Sequence, residues 1–347
     1  MAITSAPRVR SDALPLRTFK AQGRPSAIYG VGAYAPDAVL SNFDLEKMFD
    51  TSDQWITERT GIRTRHIAEA GTRTLDLARE AGSRALAAAG IGAQDLDMII
   101  VGTSTPDGPF PSIACRLQDE WDAPGAYSYD ILAACTSFVY GLANADAAIA
   151  TGRAENVLVI GAEVLSRNLD YTQRGTGTAV IFGDGAGAAV VRPAEGSAGF
   201  KAWCLGGDGR GYEQVTCGNI PQGAYAAKDP NPIINMKGPE VFKFAVDIFL
   251  RQAYEVCQTA GISLDEIDLF VPHQANFRII DAAARRLGLP MEKVVHNIDE
   301  FGNTSSASIP LALDEAIRAG RVKSGDKVLL AGFGAGLTWG ATLLEWA

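Results

Sequence analysis

The stretch Gly90-Ile-Gly-Ala-Gln-Asp-Leu-Asp-Met-Ile-Ile-Val101 returns in outline as Gly261-Ile-Ser-Leu-Asp-Glu-Ile-Asp-Leu-Phe-Val271, 171 residues later. Each copy follows an amphipathic helical pattern and runs into an apolar strand. A second block repeats in the same order: Asp146, Ile149, Gly152 and Arg153 recur as Asp314, Ile317, Gly320 and Arg321, 168 residues on. The strand starts Val157 and Val328 are again 171 apart. A DxxIxxGR segment ends any helix well, because Gly accepts the left-handed cap and Arg faces the negative end of the helix dipole. Capping alone does not explain two blocks in one order at nearly one spacing. The sequence therefore predicts an α/β chain of two similar halves, residues 26–195 and 196–347, packed around a pseudo-twofold axis. Active sites often form where such halves meet.

Composition agrees with that reading without fixing the domain count. Of 347 residues, 47% are apolar and 20% charged, and 37 are Gly, as suits many tight strand-to-helix turns. Short β-branched runs such as Met98–Val101, Asn156–Ile160 and Lys327–Leu330 alternate with Ala-rich helical stretches, the pattern of strands covered on both faces. A net charge of -9 argues against general affinity for nucleic acid or anionic membrane. An acidic partner would need a local basic patch. Cys115, Cys135, Cys204, Cys217 and Cys257 are scattered and lack metal or redox spacing, which points to a reducing, cytoplasmic compartment. No apolar run approaches the roughly 20 residues of a membrane span. Residues 1–25 carry Arg8, Arg10, Arg17, Lys20 and Arg24 against Asp12, with Pro7, Pro15 and Pro25, and read as a disordered extension. The alternative is an organelle-targeting segment, which is likewise Arg-rich and acid-poor.

Two glycine-rich stretches, Gly183–Gly187 and Gly332–Gly336, resemble dinucleotide loops but run into strands rather than helices, so nucleotide binding is not expected. Cys135 is the stronger signal. It follows the extended run Asp130–Ala134 and opens a long helix, where free backbone N–H groups and the dipole favour a thiolate. A lone Cys is more often a small buried hydrophobe. Aligned at the spacing of 168, Asn303 stands opposite Cys135, and by itself reads as a helix N-cap. His273 leaves the strand that repeats Met98–Val101, at a sheet end where ligands of open α/β folds collect.

Cys135 in Ala133-Ala-Cys-Thr-Ser-Phe138, His273 in Val271-Pro-His-Gln-Ala-Asn276 and Asn303 in Gly302-Asn-Thr-Ser-Ser-Ala-Ser308 resemble the Cys-His-Asn set of the chain-initiating, type III β-ketoacyl-acyl carrier protein synthases, of the thiolase superfamily. The resemblance runs from about residue 27 to the C-terminus, and includes Asp50–Gly61, Arg174-Gly175 and Phe333–Gly340. It implies a thiolase-like fold, two duplicated halves in a five-layered αβαβα body. Elongating synthases carry a second His where Asn303 stands, and thiolases a second Cys, so Asn303 implies the initiating branch. Thr51, Trp55, Arg59, Arg174, Gly238, Phe242 and Asn276 match coenzyme A or pantetheine contacts. Apart from the family, Trp55 reads as core and the arginines as solvated surface. Phe110 matches a residue lining the acyl pocket across a dimer interface, which implies a homodimer.

The activity implied is a decarboxylative condensation without metal or cofactor, coenzyme A thioesters being substrates. Cys135 takes the acyl group from acyl-coenzyme A while the N–H groups of Cys135 and Ala335 stabilise the oxyanion; the family usually has Gly at the position of Ala335. Malonyl-acyl carrier protein then loses carbon dioxide, and His273 Nε2–H with the Asn303 amide stabilise the enolate. Lys243, Arg278, Arg285 and Arg286 are candidates for docking the acidic carrier protein, although a solvated helix face explains each as well. Acetyl is the expected starter. Alternatives are an acyltransferase or starter-unit enzyme of a secondary pathway, and a catalytically silent acyl-binding partner.

Overall fold

The computed structural model describes residues 16–218 and 233–347 of the chain. Its central strands, Met98–Gly102, Val157–Glu163 and Lys327–Gly334, are buried along almost their whole length, as continuous apolar runs require when helices cover both faces of a sheet. In the first sheet, Ser26–Tyr34, Gly185–Pro193, Val157–Glu163, Met98–Gly102 and Tyr127–Ile131 lie side by side in that order. In the second the order is Arg17–Lys20, Gly199–Gly207, Thr338–Glu345, Lys327–Gly334 and Leu269–Pro272. Met98–Gly102 pairs parallel with Val157–Glu163, as Leu269–Pro272 does with Lys327–Gly334. An isolated parallel bridge, Phe270–Val294, stands where the first sheet has its edge strand Tyr127–Ile131.

Two helices lie between the sheets, Ser137–Ala150 and Ser308–Arg318. One apolar cluster joins Phe138, Val139 and Leu142 to Ile309, Ala312 and Leu313, together with Ile100 and Val159 of the first sheet and Val271 and Leu330 of the second. The outer face of the first sheet packs on Thr74–Ala89 and Ile113–Glu120. That of the second packs on Gly238–Ala260 and Phe277–Leu287. The layers are therefore αβαβα, and the buried pair of helices brings the two halves together.

Two sequence expectations need correction. Residues 17–20, assigned above to a disordered extension, pair antiparallel with Ala202–Leu205 on the edge of the second sheet. Backbone groups of that open edge make the pairing, which demands little of the side chains, so the composition gave no sign of it. Residues 1–15 lie outside the described residues. The second correction concerns register. The central helices start at Ser137 and Ser308, 171 residues apart, but their left-handed Gly ends, Gly152 and Gly320, are 168 apart because the first helix has 14 residues and the second 11. Ala134 and Ser305, the non-glycine residues of positive φ (48° and 50°) just before these helices, are also 171 apart. The counterpart of Cys135 is thus Ser306, and Asn303 lies three residues earlier.

Candidate active site

The edge strand Tyr127–Ile131 ends, the backbone turns through Ala134, and a short 3-10 turn, Ala134–Thr136, carries Cys135 into the buried helix Ser137–Ala150. The turn is fixed by hydrogen bonds from Ala133 N to Ser137 Oγ (2.9 Å) and from Thr136 Oγ1 to Ala133 O (2.6 Å). A second contact, Thr136 Oγ1 with Thr338 Oγ1 at 2.9 Å, ties it to the other half. Gly334 is required here, since a Cβ at that position would lie 2.8 Å from the Cys135 backbone N. The close approach leaves the end of Lys327–Gly334, and Ala335 beyond it, beside the Cys135 N–H group. Burial pushes the Cys135 thiol up to about 12, opposing the pull of the helix N-terminus, so the resting group is a thiol.

His273 is held where the second sheet ends. Its N–H donates to Ala331 O at 2.8 Å, and its ring stands edge-on to Phe333, centroids 5.4 Å apart. Nδ1 lies 2.6 Å from Ser308 Oγ, which also accepts from the Gln274 N–H at 3.3 Å. Among the described residues Nδ1 is the one acceptor in reach of the Ser308 hydroxyl proton, so the hydroxyl donates to Nδ1 and the ring proton is placed on Nε2. The ring is 1% exposed, and burial pulls its pKa down to about 3, so the imidazole is neutral. Ser308→Ala removes the group that fixes this tautomer. In the condensation that the resemblance implies, the expected result is decarboxylation of malonyl thioester slowed about tenfold, the cost of one unmet buried acceptor, with acylation retained. Equal slowing of both half-reactions in single-turnover assays would refute the tautomer assignment.

Asn303 is 6% exposed and gripped by backbone from the first half: its N–H donates to Ile181 O at 2.9 Å, and its carbonyl accepts from Gly183 N at 3.0 Å. Its Oδ1 accepts from Ser305 N at 2.8 Å, a local turn that leaves the amide hydrogens to face the cavity. Cys135, His273, Asn303 and Ala335 all line one mostly apolar cavity of about 610 Å³. Two buried donors from the second half therefore face a thiol from the first.

Trp55, Arg59, Gly238, Phe242 and Asn276 also line this cavity. Trp55 belongs to the helix Asp53–Thr60, capped by Ser52 Oγ and ended by left-handed Gly61, and is 39% exposed with Arg59 over its ring at 4.8 Å. Asn276 caps the next helix by accepting from Arg278 N (2.9 Å) and donates to Arg59 O (3.0 Å), so it joins the two halves at the mouth. Thr51 and Arg174 lie outside the cavity wall. The Thr51 hydroxyl is buried with no partner among the described residues, and Arg174 is exposed and paired with Asp170 at 2.9 Å. Phe110 is 84% exposed, away from the cavity of its own chain. Arg278 lines the mouth and stacks on Phe242 at 5.8 Å. Lys243 and Arg286 are exposed, while Arg285 is engaged by Asp281 at 2.5 Å. The glycine-rich stretches enter the strands Gly185–Pro193 and Thr338–Glu345, as their sequences indicate.

Sequence reasoning missed Ser308, Ser305 and Glu163. Their signals were present: a run of hydroxyl residues opening an apolar helix, and a carboxylate ending the otherwise apolar strand Val157–Glu163.

The comparisons with known proteins agree with this geometry. Residues 129–209 match the family described as 3-oxoacyl-[acyl-carrier-protein (ACP)] synthase III, and residues 257–346 its C-terminal part. The chain is 48% identical over 324 residues to the β-ketoacyl-[acyl-carrier-protein] synthase III of Desulfitobacterium hafniense (strain DSM 10664 / DCB-2), covering 92% of this chain and 97% of that protein. The crystal structure of 3-oxoacyl-[acyl-carrier-protein] synthase III from Aquifex aeolicus VF5 superposes with a TM-score of 0.87 at 47% identity, over 92% of this chain and all of that one. The priming β-ketosynthase of the R1128 polyketide biosynthetic pathway gives a TM-score of 0.87 at 35% identity, over 98% and 99%. The chain belongs to the 3-oxoacyl-[acyl-carrier-protein] synthase III family, acyltransferases of thiolase-like fold.

Proposed function

We propose that this protein initiates acyl chains, transferring an acyl group from coenzyme A to Cys135 and condensing it with malonyl-acyl carrier protein. The products are 3-ketoacyl-acyl carrier protein, coenzyme A and carbon dioxide. The observation that carries the reading is the joint approach of Cys135, neutral His273 and Asn303 to one buried cavity. A covalent acyl-enzyme splits one difficult coupling into two steps. In the first, the Cys135 sulfur attacks the thioester carbonyl, the N–H groups of Cys135 and Ala335 receive the developing oxyanion, and collapse breaks the carbon–sulfur bond to coenzyme A, whose thiolate leaves with the proton given up by the Cys135 thiol. In the second, loss of carbon dioxide places negative charge on the malonyl thioester oxygen. His273 Nε2–H and the Asn303 amide are donors fixed in advance for that charge; the enolate carbon then bonds to the acyl carbon, whose bond to the Cys135 sulfur breaks, and the sulfur takes up a proton and returns to the thiol. The tautomer inferred for His273 supports donation in this step, rather than removal of the Cys135 proton in the first. These residues supply the chemistry without a metal or cofactor step.

Acetyl is the proposed starter. Trp55, Arg59, Phe242 and Asn276 take the coenzyme A and pantetheine arm at the mouth, with Thr51, Gly238 and Arg174 as further contacts. The protein acts as a cytoplasmic homodimer. Support for the dimer comes from Phe110 and Leu132, 84% and 79% exposed: Leu132 directly follows the edge strand Tyr127–Ile131, and Phe110 precedes the helix Ile113–Glu120, whose first N–H groups donate to Asp130 of that strand, so both resemble surface that a second copy covers. Among the described residues no helix is long and apolar enough to cross a membrane.

For the carrier protein, the docking surface proposed is the helix Phe277–Leu287, with Arg278 at the mouth, Arg285 and Arg286 further along, and Lys243 across from it. Arg278→Glu is expected to raise the KM for malonyl carrier protein by about tenfold at low salt, an effect that shrinks as salt screens the charges. An unchanged KM would remove Arg278 from that surface. The function as a whole is tested by intact-mass spectrometry with a panel of acyl-coenzyme A thioesters followed by malonyl carrier protein. An acetyl adduct discharged by the malonyl carrier is expected; a protein that acquires no adduct from any thioester does not have this function.

A further inference from the structure

Glu163 has no part in the chemistry above, yet it lies directly behind the nucleophile. It ends the strand Val157–Glu163 and is wholly buried. Its hydrogen-bond partners are uncharged. Oε2 accepts from Ser104 N (3.0 Å), Thr103 Oγ1 (3.3 Å) and Thr105 Oγ1 (2.8 Å), and the Ser104 N–H is shared with Oε1 at 3.2 Å. Both threonine hydroxyls have their proton available, because each already accepts a backbone N–H, Thr103 from Thr105 and Thr105 from Val164. Oε1 is different. It sits 2.9 Å from Ser306 Oγ, and that same oxygen is 2.9 Å from the Gly102 carbonyl, which can only accept. Ser306 has one hydroxyl proton. If it serves Gly102, Ser306 and Oε1 meet lone pair to lone pair, unless Oε1 carries a proton of its own. One arrangement uses both short contacts of Ser306 at once: Oε1–H donates to Ser306 Oγ, and Ser306 Oγ–H donates to Gly102 O.

The same carboxyl meets the Ser305 hydroxyl, which also meets the Cys135 thiol. Among the described residues, the titratable groups facing it are Cys135 and, across the cavity, Cys217. Negative charge at Glu163 would oppose a thiolate at Cys135. We propose that Glu163 is a neutral carboxylic acid and a positioning residue for Cys135: its proton secures Ser306, and its neutrality leaves an uncharged wall behind the sulfur when the thiolate forms. Burial away from any cationic partner favours this protonation state. The inference rests on the reading of Cys135 as nucleophile, but its test does not use turnover.

Infrared spectra of the whole enzyme at neutral pH are expected to show a carboxylic-acid carbonyl band that Glu163→Gln removes. Ser306→Ala, which deletes the acceptor, should move that band to higher frequency. Alkylation by iodoacetamide, followed on the Cys135 peptide as pH is raised, gives the functional readout. Wild type and Glu163→Gln should coincide at neutral pH; where the wild-type acid band disappears, the wild type should fall about tenfold behind, as a new negative charge raises the thiol pKa by about one unit. A band that lasts throughout the range of folding, with coincident profiles, also supports the uncharged wall. The proposal is overturned if no Glu163 acid band exists at neutral pH, if Glu163→Gln is already tenfold faster there, or if the band disappears without the profiles separating. Loss of the acyl-coenzyme A adduct in wild type would instead count against the proposed function.

Discussion

Replacing Cys135 with alanine is expected to abolish the acyl adduct and, with it, condensation. The sulfur is the only protein group in the proposed scheme that bonds to the acyl carbon, so its loss removes a covalent path rather than weakening a contact. Turnover should fall by roughly 10⁴-fold or more, since the remaining donors bind both thioesters but have nothing to couple. The fold should survive: Ala133, Thr136 and Ser137 hold the turn through groups that alanine at position 135 leaves intact. Intact mass after incubation with acetyl-coenzyme A is the measurement. An adduct that persisted in Cys135→Ala at one equivalent would place the nucleophile elsewhere.

The second large effect separates the half-reactions. Asn303→Ala should still take the acetyl group on Cys135, because the acylation oxyanion is assigned to backbone N–H groups of Cys135 and Ala335. It should lose decarboxylation by roughly 10²–10³-fold, about 2.7–4 kcal/mol, the usual result of deleting one preorganised donor to a developing oxyanion. The Asn303 backbone keeps its bonds to Ile181 and Gly183, so the scaffold is retained. Pre-acylated enzyme, mixed with malonyl carrier protein and assayed for carbon dioxide release, reads the step directly. Normal release would end the enolate role of Asn303, while failure to acylate at all would show that the residue supports the first step instead.

Part of this architecture follows from local rules. Gly90 and Gly261 cap helices that must stop before buried strands, and the 171-residue repeat makes a duplicated fold the simplest packing of both copies. Cys135, His273 and Asn303 stand out because strand ends and helix starts are readable from local pattern. Their register was less secure: a capping motif marks where a helix stops, and two helices that differ by three residues return different spacings from their two ends. The Arg17–Lys20 strand escaped notice because an open sheet edge selects its partner through backbone hydrogen bonds. Ser308, Ser305 and Glu163 escaped because each matters through a neighbour distant in the chain.

By itself, then, the sequence determined the duplicated α/β plan, since periodicity and capping act over a few residues, and its resemblance to a known family singled out the thiol, imidazole and carboxamide. Only tertiary structure decided which ring nitrogen of His273 carries hydrogen, how Asn303 points, and where the proton near Glu163 resides. Those states depend on hydrogen-bond partners 35 and 143 residues away, at His273–Ser308 and Glu163–Ser306, and on exclusion of water by both halves together.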